Sequence, residues 1–208
     1  MICFNTRAEN YCCVFPLQRT ARQVSAASLD IGGNLALCEA ARKENPHAHI
    51  VFKPHPDVVS GNRIGEIPEE VLLSIVDDII VDINIIDCIE QCDEVHTITS
   101  LSGFEALLRN KTVVTYGLPF YAGWGLTRDR HDLGRRTRAR TLDELVYLSL
   151  IAYPKYLDIE SGEFIRPEDL VSMMARATRV SANTAGSRAP RLWRKARNIV
   201  KAIRYSAA

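Results

Sequence analysis

Several common signatures are missing from this 208-residue chain, and each absence removes a class of function. There is no run of eighteen apolar residues, so no segment reads as a membrane-spanning helix. Residues 1–10 have neither the basic start nor the long apolar core of a secretory leader, so none is expected. The six cysteines (Cys3, Cys12, Cys13, Cys38, Cys88 and Cys92) contain no CxxC pair and show no metal-ligand spacing. They read as small buried hydrophobes of a protein kept in a reducing cytoplasm. No charge of one sign dominates: the net charge is +1, which gives no general case for nucleic acid or an acidic partner. The absence of a Walker lysine motif and of GxGxxG argues against ATP and dinucleotides. The absence of GxSxG removes the support for a hydrolase. No internal repeat is present.

What remains is an ordinary globular composition, 47% hydrophobic and 25% charged, enough for one domain with appendages. Residues 12–17 read as a short strand, Gly33 to Glu44 as a helix stopped by Asn45-Pro46, and His49 to Phe52 as a second strand. Pro68 opens a helix through Ile75, Ile79 to Val81 form a strand, and Ile83 to Gln91 a helix. Glu94 to Thr99, Gly103 to Arg109 and Thr112 to Tyr116 continue as strand, helix and strand. Alternation with short connections predicts βαβ units and a parallel sheet. A Gly- and aromatic-rich loop follows at 117–125. Thr141 and Glu144 form a capping box for a helix to Ala152, and Pro167 starts another. Residues 181–190 read as a polar linker. Beyond it, Leu192, Ile199, Val200 and Ile203 make an apolar stripe among Arg191, Arg194, Lys195, Arg197, Lys201 and Arg204. That pattern suits either a membrane-surface helix or a helix packed on the protein.

The run Val51-Phe52-Lys53-Pro54-His55-Pro56-Asp57 carries the first chemistry. An apolar strand ends in a Lys and a His, each followed by a proline that biases it toward extended geometry. In an open α/β sheet the carboxyl ends of strands are where ligands bind. An ammonium and an imidazole there suit an anionic group such as a phosphate.

Thr99-Ser100-Leu101-Ser102-Gly103-Phe104-Glu105 joins a strand to a helix and carries the second. Ser102 reads as the N-cap, with Glu105 completing a capping box. Hydroxyls at 100 and 102, free amides at the helix start, and Gly103 permitting close backbone approach make a phosphate site compatible with capping. The two strand ends can converge on one phosphate. His131 with Asp129 and Asp132 reads as a solvated loop.

Three segments carry a resemblance: KPHPD (53–57), DEVHTITSLSGFEALLRNKTVVTYGLPFYAGWGLT (93–127) and TLDELVYLSLIAYPKYLD (141–158). They resemble the bacterial capsule polysaccharide synthesis and export family, whose members are similar to retaining β-Kdo (keto-deoxy-octulosonate) transferases. The resemblance covers roughly residues 30–165. It implies an α/β, Rossmann-like parallel sheet forming one half of a GT-B glycosyltransferase, plus C-terminal helices. Residues 1–29 would be the remnant of an inter-domain segment, 30–165 the CMP-sugar-binding domain, and 166–208 C-terminal helices with the linker and basic tail. The implied donor is CMP-Kdo, used without a metal or other cofactor. The implied acceptor is a lipid-linked saccharide. Other capsule-assembly proteins and a peripheral contact with the inner membrane are the further partners it implies, for a cytoplasmic protein that binds no nucleic acid.

By the same resemblance, His55-Pro56 and the hydroxyls of Ser100 and Ser102 would hold the CMP phosphate. Lys53 and Gly103 would support them, and Glu105 would meet the ribose. Tyr121 and Trp124, in the 117–125 loop, would lie near the cleft and, with Phe120, be partly exposed. Family members carry an acidic residue shortly after a Gln in the segment leading into this domain. Here Gln18 is present, but Arg19 to Ser28 contains no Asp or Glu, so the catalytic residue is left unassigned. Two readings stay open: the donor-binding part of a Kdo transferase, or a catalytically inactive nucleotide-binding remnant or partner subunit. A sialyltransferase-like GT-B enzyme is a third, against which the AGWG loop argues.

Overall fold

A computed structural model of the chain describes residues 10–15, 32–54, 67–132 and 134–183. His55, Pro56, the 19–28 segment and the basic tail at 191–204 lie outside the described residues. The chain separates into two compact units, Met1–Val146 and Tyr147–Ala208.

The first unit is built on β1 (Tyr11–Phe15), α1 (Asn34–Glu44), β2 (His49–Phe52), α2 (Glu69–Leu73), β3 (Asp78–Ile79), α3 (Ile85–Gln91), β4 (Glu94–Thr97), α4 (Leu101–Leu107), β5 (Thr112–Thr115), β6 (Arg128–Asp129) and α5 (Leu142–Val146). All six strands are parallel, in the order β3-β2-β1-β4-β5-β6. Tyr11 pairs with His49 on one side of β1, and Cys12 with Glu94 on the other. This is the doubly wound, Rossmann-like arrangement, and its strand order reverses between β1 and β4.

Helices on both faces explain why the strands read as unbroken apolar runs rather than alternating ones. Cys12, Val14, Ile50, Phe52 and Val114 face Leu37, Cys38 and Ala41 of α1 and Leu72 of α2. Cys13, Phe15, Val51, Val95 and Val113 face Cys88 and Ile89 of α3, Phe104 and Leu107 of α4, and Leu145 of α5. The cysteines at 12, 13, 38, 88 and 92 are buried free thiols within these two cores. Burial pushes the Cys12 and Cys38 thiols up to about 12.

The expected elements appear, with shifted boundaries. The third strand ends at Ile79, so Ile80 and Val81 lie beyond it. Two short pairings went unread: β6, and an antiparallel hairpin in the second unit, β7 (Tyr156–Leu157) with β8 (Phe164–Ile165). The capping box at Thr141 and Glu144 is present, with Thr141 N donating to Glu144 Oε2 at 2.9 Å and Glu144 N to Thr141 Oγ1 at 3.2 Å. The single helix expected through Ala152 instead becomes a π-helix over Tyr147–Ala152. After the hairpin, α6 (Pro167–Asn183) begins on the expected proline. Among the described residues, no helix is long and apolar enough to cross a membrane.

Candidate functional site

A cavity of about 600 Å³ opens at the carboxyl edge of the sheet, beside the point where strand order reverses. Phe15 ends β1 there, Lys53 and Pro54 follow β2, Val81 to Asn84 follow β3, and Ser100 to Ser102 follow β4. That is the place at which open α/β sheets bind ligands. Its volume falls within the roughly 300–1,000 Å³ common for small-molecule sites.

Lys53 is only 6% exposed. Its backbone N donates to Val14 O at 3.1 Å, continuing the β1–β2 ladder. Its ammonium donates to Val81 O at 2.9 Å and reaches Ile80 O at 3.5 Å. These main-chain acceptors hold the charge at the cavity wall while its three donors leave capacity for a ligand oxygen.

The β4–α4 turn is fixed from below. Thr97, fully buried, donates through Oγ1 to Phe15 O at 3.2 Å and accepts from Ser100 N at 3.2 Å. Sequence reasoning missed Thr97; its signal was the hydroxyl at the last position of a buried strand. Ser100, not Ser102, is the N-cap: its Oγ accepts from Ser102 N at 3.3 Å. Both serines were competent to cap, and α4 starts two residues earlier than read. Glu105 is therefore too far into the helix for a capping box and pairs with Arg109 one turn on, at 2.9 Å. The Ser100 and Ser102 hydroxyls sit 2.7 Å apart on the cavity lining.

In the 117–125 loop the expected partial exposure holds for Phe120 and Trp124 but not for Tyr121, which is fully buried, and neither Tyr121 nor Trp124 lines the cavity. Tyr121 runs beneath α4, its phenol donating to the Ser100 carbonyl. Trp124 is half-buried against the core, donating to Phe120 O at 2.8 Å under the Arg136 guanidinium. Phe120 alone is exposed, tilted against Phe104. Gly103 also has another reason than the one read from the sequence. A Cβ there would lie 2.7 Å from Tyr121 Cζ, so the close approach comes from a tyrosine ring.

Asp129 is no solvated loop residue. It accepts from Thr115 Oγ1 and Thr127 Oγ1, each at 2.6 Å, and from Gly123 N at 2.7 Å, tying the loop to β5 and β6.

At the opposite, amino edge of the sheet, Cys12, Glu94 and His96 offer ligand atoms within 4.8 Å of one another. No sequence spacing revealed this group, because Cys12 and Glu94 are strand neighbours drawn from distant segments. Its polar atoms are already engaged. His96 Nε2 lies 2.7 Å from Glu94 Oε1, its Nδ1 3.0 Å from the Tyr116 hydroxyl, and Arg128 pairs with Glu94 at 2.9 Å. The arrangement is a hydrogen-bonded network; the bond from His96 is the largest cause holding the Glu94 carboxyl below its ordinary value.

These observations define an open, doubly wound α/β protein with a ligand-sized cavity at the switch point of its sheet. Residues 5–161 match the family described as "Capsule polysaccharide biosynthesis protein", and the chain belongs to that family. It is 46% identical over 153 residues to the capsule polysaccharide modification protein LipA of Neisseria meningitidis serogroup B, a match covering 74% of this chain and 22% of LipA. It is 43% identical over 142 residues to the lipopolysaccharide-processing protein LpsZ of Rhizobium meliloti, covering 68% of this chain and 32% of LpsZ. Among solved structures it resembles the beta Kdo 2,7 transferase of KpsC from Thermosulfurimonas dismutans, with 36% identity and a TM-score of 0.72. That likeness covers 84% of this chain and 55% of the other. The beta Kdo 2,4 transferase of the same KpsC matches at 30% identity and a TM-score of 0.64, over 82% and 53% of the two chains. The chain thus spans less than a third of LpsZ, less still of LipA, and about half of the solved structures.

Proposed function

We propose that this member of the capsule polysaccharide biosynthesis family binds the CMP portion of a CMP-Kdo donor in the cavity at the switch point. The observation that carries the reading is that Lys53, Ser100 and Ser102 all line that cavity. An ammonium and two hydroxyls match a phosphodiester, and such charge neutralisation stabilises a nucleotide leaving group. Ile83, Ile85 and Ile86 supply an apolar wall for the base. Asp82, exposed three residues beyond β3, and Glu105, whose carboxylate also pairs with Arg109, both line the cavity and are the candidates for the ribose hydroxyls. His55 follows the cavity-lining Pro54 directly in sequence and is assigned to the phosphate. The acceptor in this reading is a lipid-linked saccharide, and no metal takes part.

Binding without transfer by this chain alone is the second reading. It is favoured by the lack of any carboxylate from Arg19 to Ser28.

Calorimetric titration with CMP, with and without EDTA, tests the proposal. Binding indifferent to EDTA is expected. His55→Ala should weaken it by about 1.5–3 kcal/mol, the contribution of a hydrogen bond to a charged group. Equal affinity in wild type and variant removes His55 from the site, and no binding in the wild type refutes the donor-binding reading. Radiolabelled transfer from CMP-Kdo to a lipid acceptor separates the two readings.

A further inference from the structure

We propose that Tyr121 is a positioning residue for the phosphate-binding turn, holding the Ser100 and Ser102 hydroxyls at the cavity wall through the Ser100 carbonyl. The inference rests on the donor-binding reading above and names a residue outside the cavity on which it depends.

Tyr121 touches no ligand space, yet it is among the largest fully buried side chains of the described residues. Its ring lies against Gly103, stacks on Phe104 with centroids 6.4 Å apart, and meets Phe120 edge-on at 5.2 Å. Only the hydroxyl is polar, and it is spent on Ser100 O. Burial raises the Tyr121 phenol above its ordinary value, so the proton stays on oxygen and the group remains a donor. The Ser100 carbonyl also accepts from Gly103 N at 3.2 Å, and the Ser100 amide is held by Thr97 Oγ1. With both backbone groups of Ser100 fixed, its Oγ is left to meet Ser102 and the cavity.

The loop bearing Tyr121 is itself anchored. Asp129 accepts from Gly123 N, and Arg136 donates to Pro119 O at 2.8 Å and to Ala122 O. A chain of contacts thus runs from β6 through the loop to the hydroxyl pair. Its effect should fall more on the phosphate than on the nucleoside, because the loop's hydrogen bond goes to Ser100 O, whereas the residues proposed for the base wall, 83–86, share only the apolar core with it.

The test is the ratio of cytidine to CMP dissociation constants, measured by NMR chemical-shift titration on the full chain, for wild type and Tyr121→Phe. The phenylalanine keeps the ring against Gly103 and removes only the hydroxyl. A purely structural role would weaken both ligands together. Positioning should lower the ratio roughly fivefold, the equivalent of one ordinary hydrogen bond, with cytidine affinity unchanged. An unchanged ratio overturns the proposal while CMP binding by the wild type keeps the donor-binding reading intact. A wild type that binds CMP no better than cytidine, or not at all, overturns both. If circular dichroism shows Tyr121→Phe unfolded, Asp129→Asn, which loosens the loop from outside, is read by the same ratio and against the same outcomes.

Discussion

Replacing Gly103 by alanine puts a methyl group where Tyr121 already lies. The added carbon would sit 2.7 Å from Tyr121 Cζ and 2.9 Å from Cε2, and would also meet the hydroxyl. Carbon atoms prefer separations of about 3.5–4.0 Å, so the ring must retreat. It has little room, being fully buried between Phe104 and Phe120. Overpacking of this kind costs about 1–3 kcal/mol. Against it stands helix propensity, since Gly103 is inside α4 and alanine there gains about 0.8–1.0 kcal/mol. The net loss in the wild-type background is therefore small, up to roughly 2 kcal/mol. The informative quantity is the difference between backgrounds. With Tyr121 already truncated to alanine the clash disappears, and Gly103→Ala should stabilise the chain by about 1 kcal/mol. Guanidinium denaturation of the four proteins should give a coupling of about 1–3 kcal/mol. If Gly103→Ala has the same effect with and without the Tyr121 side chain, the ring contact does not explain the glycine. Close approach of a ligand to the backbone of α4 would then be its reason.

Two further outcomes follow from the titratable groups. Glu94 is held below the ordinary carboxylate value first by the hydrogen bond from His96, so its contribution is present above that ordinary value and fades as pH falls through the lowered one. Glu94→Gln should cost about 1–2 kcal/mol near neutrality and nothing in strong acid; a difference independent of pH would contradict the network. Thiols at 12, 13, 38 and 88, raised by burial and at Cys13 first by its bond with Cys92, should resist Ellman's reagent in the native chain and react on unfolding. Rapid native modification at any of them would show that the core is more open than described.

How much was legible from the residues depended on where the information lay. Helix caps and buried strands use local signals, so Thr141 with Glu144, Pro167, and the apolar runs at β2, β4 and β5 were readable. A parallel sheet of βαβ units followed from alternation and short connections, whereas the strand order did not. The start of α4 was misread because two serines two residues apart were each fit to cap it. Glu105 matched the capping pattern, but Arg109 one turn further on competed for its carboxylate. The strand β6 is two polar residues, Arg128 and Asp129, and shows no apolar period. Asp129 acquires its role only through partners at 115, 123 and 127 that the fold brings to it. Burial of Tyr121 was invisible for a similar reason: nothing in a Gly-rich loop says that one of its aromatics lies under a neighbouring helix.

The most direct test of the central claim is a crystal structure of the chain with CMP. The account predicts the phosphate within hydrogen-bond distance of Ser100 Oγ, Ser102 Oγ and Lys53 Nζ, and the base against Ile83 to Ile86. Occupancy elsewhere on the molecule, or an empty cavity at saturating CMP, would contradict it.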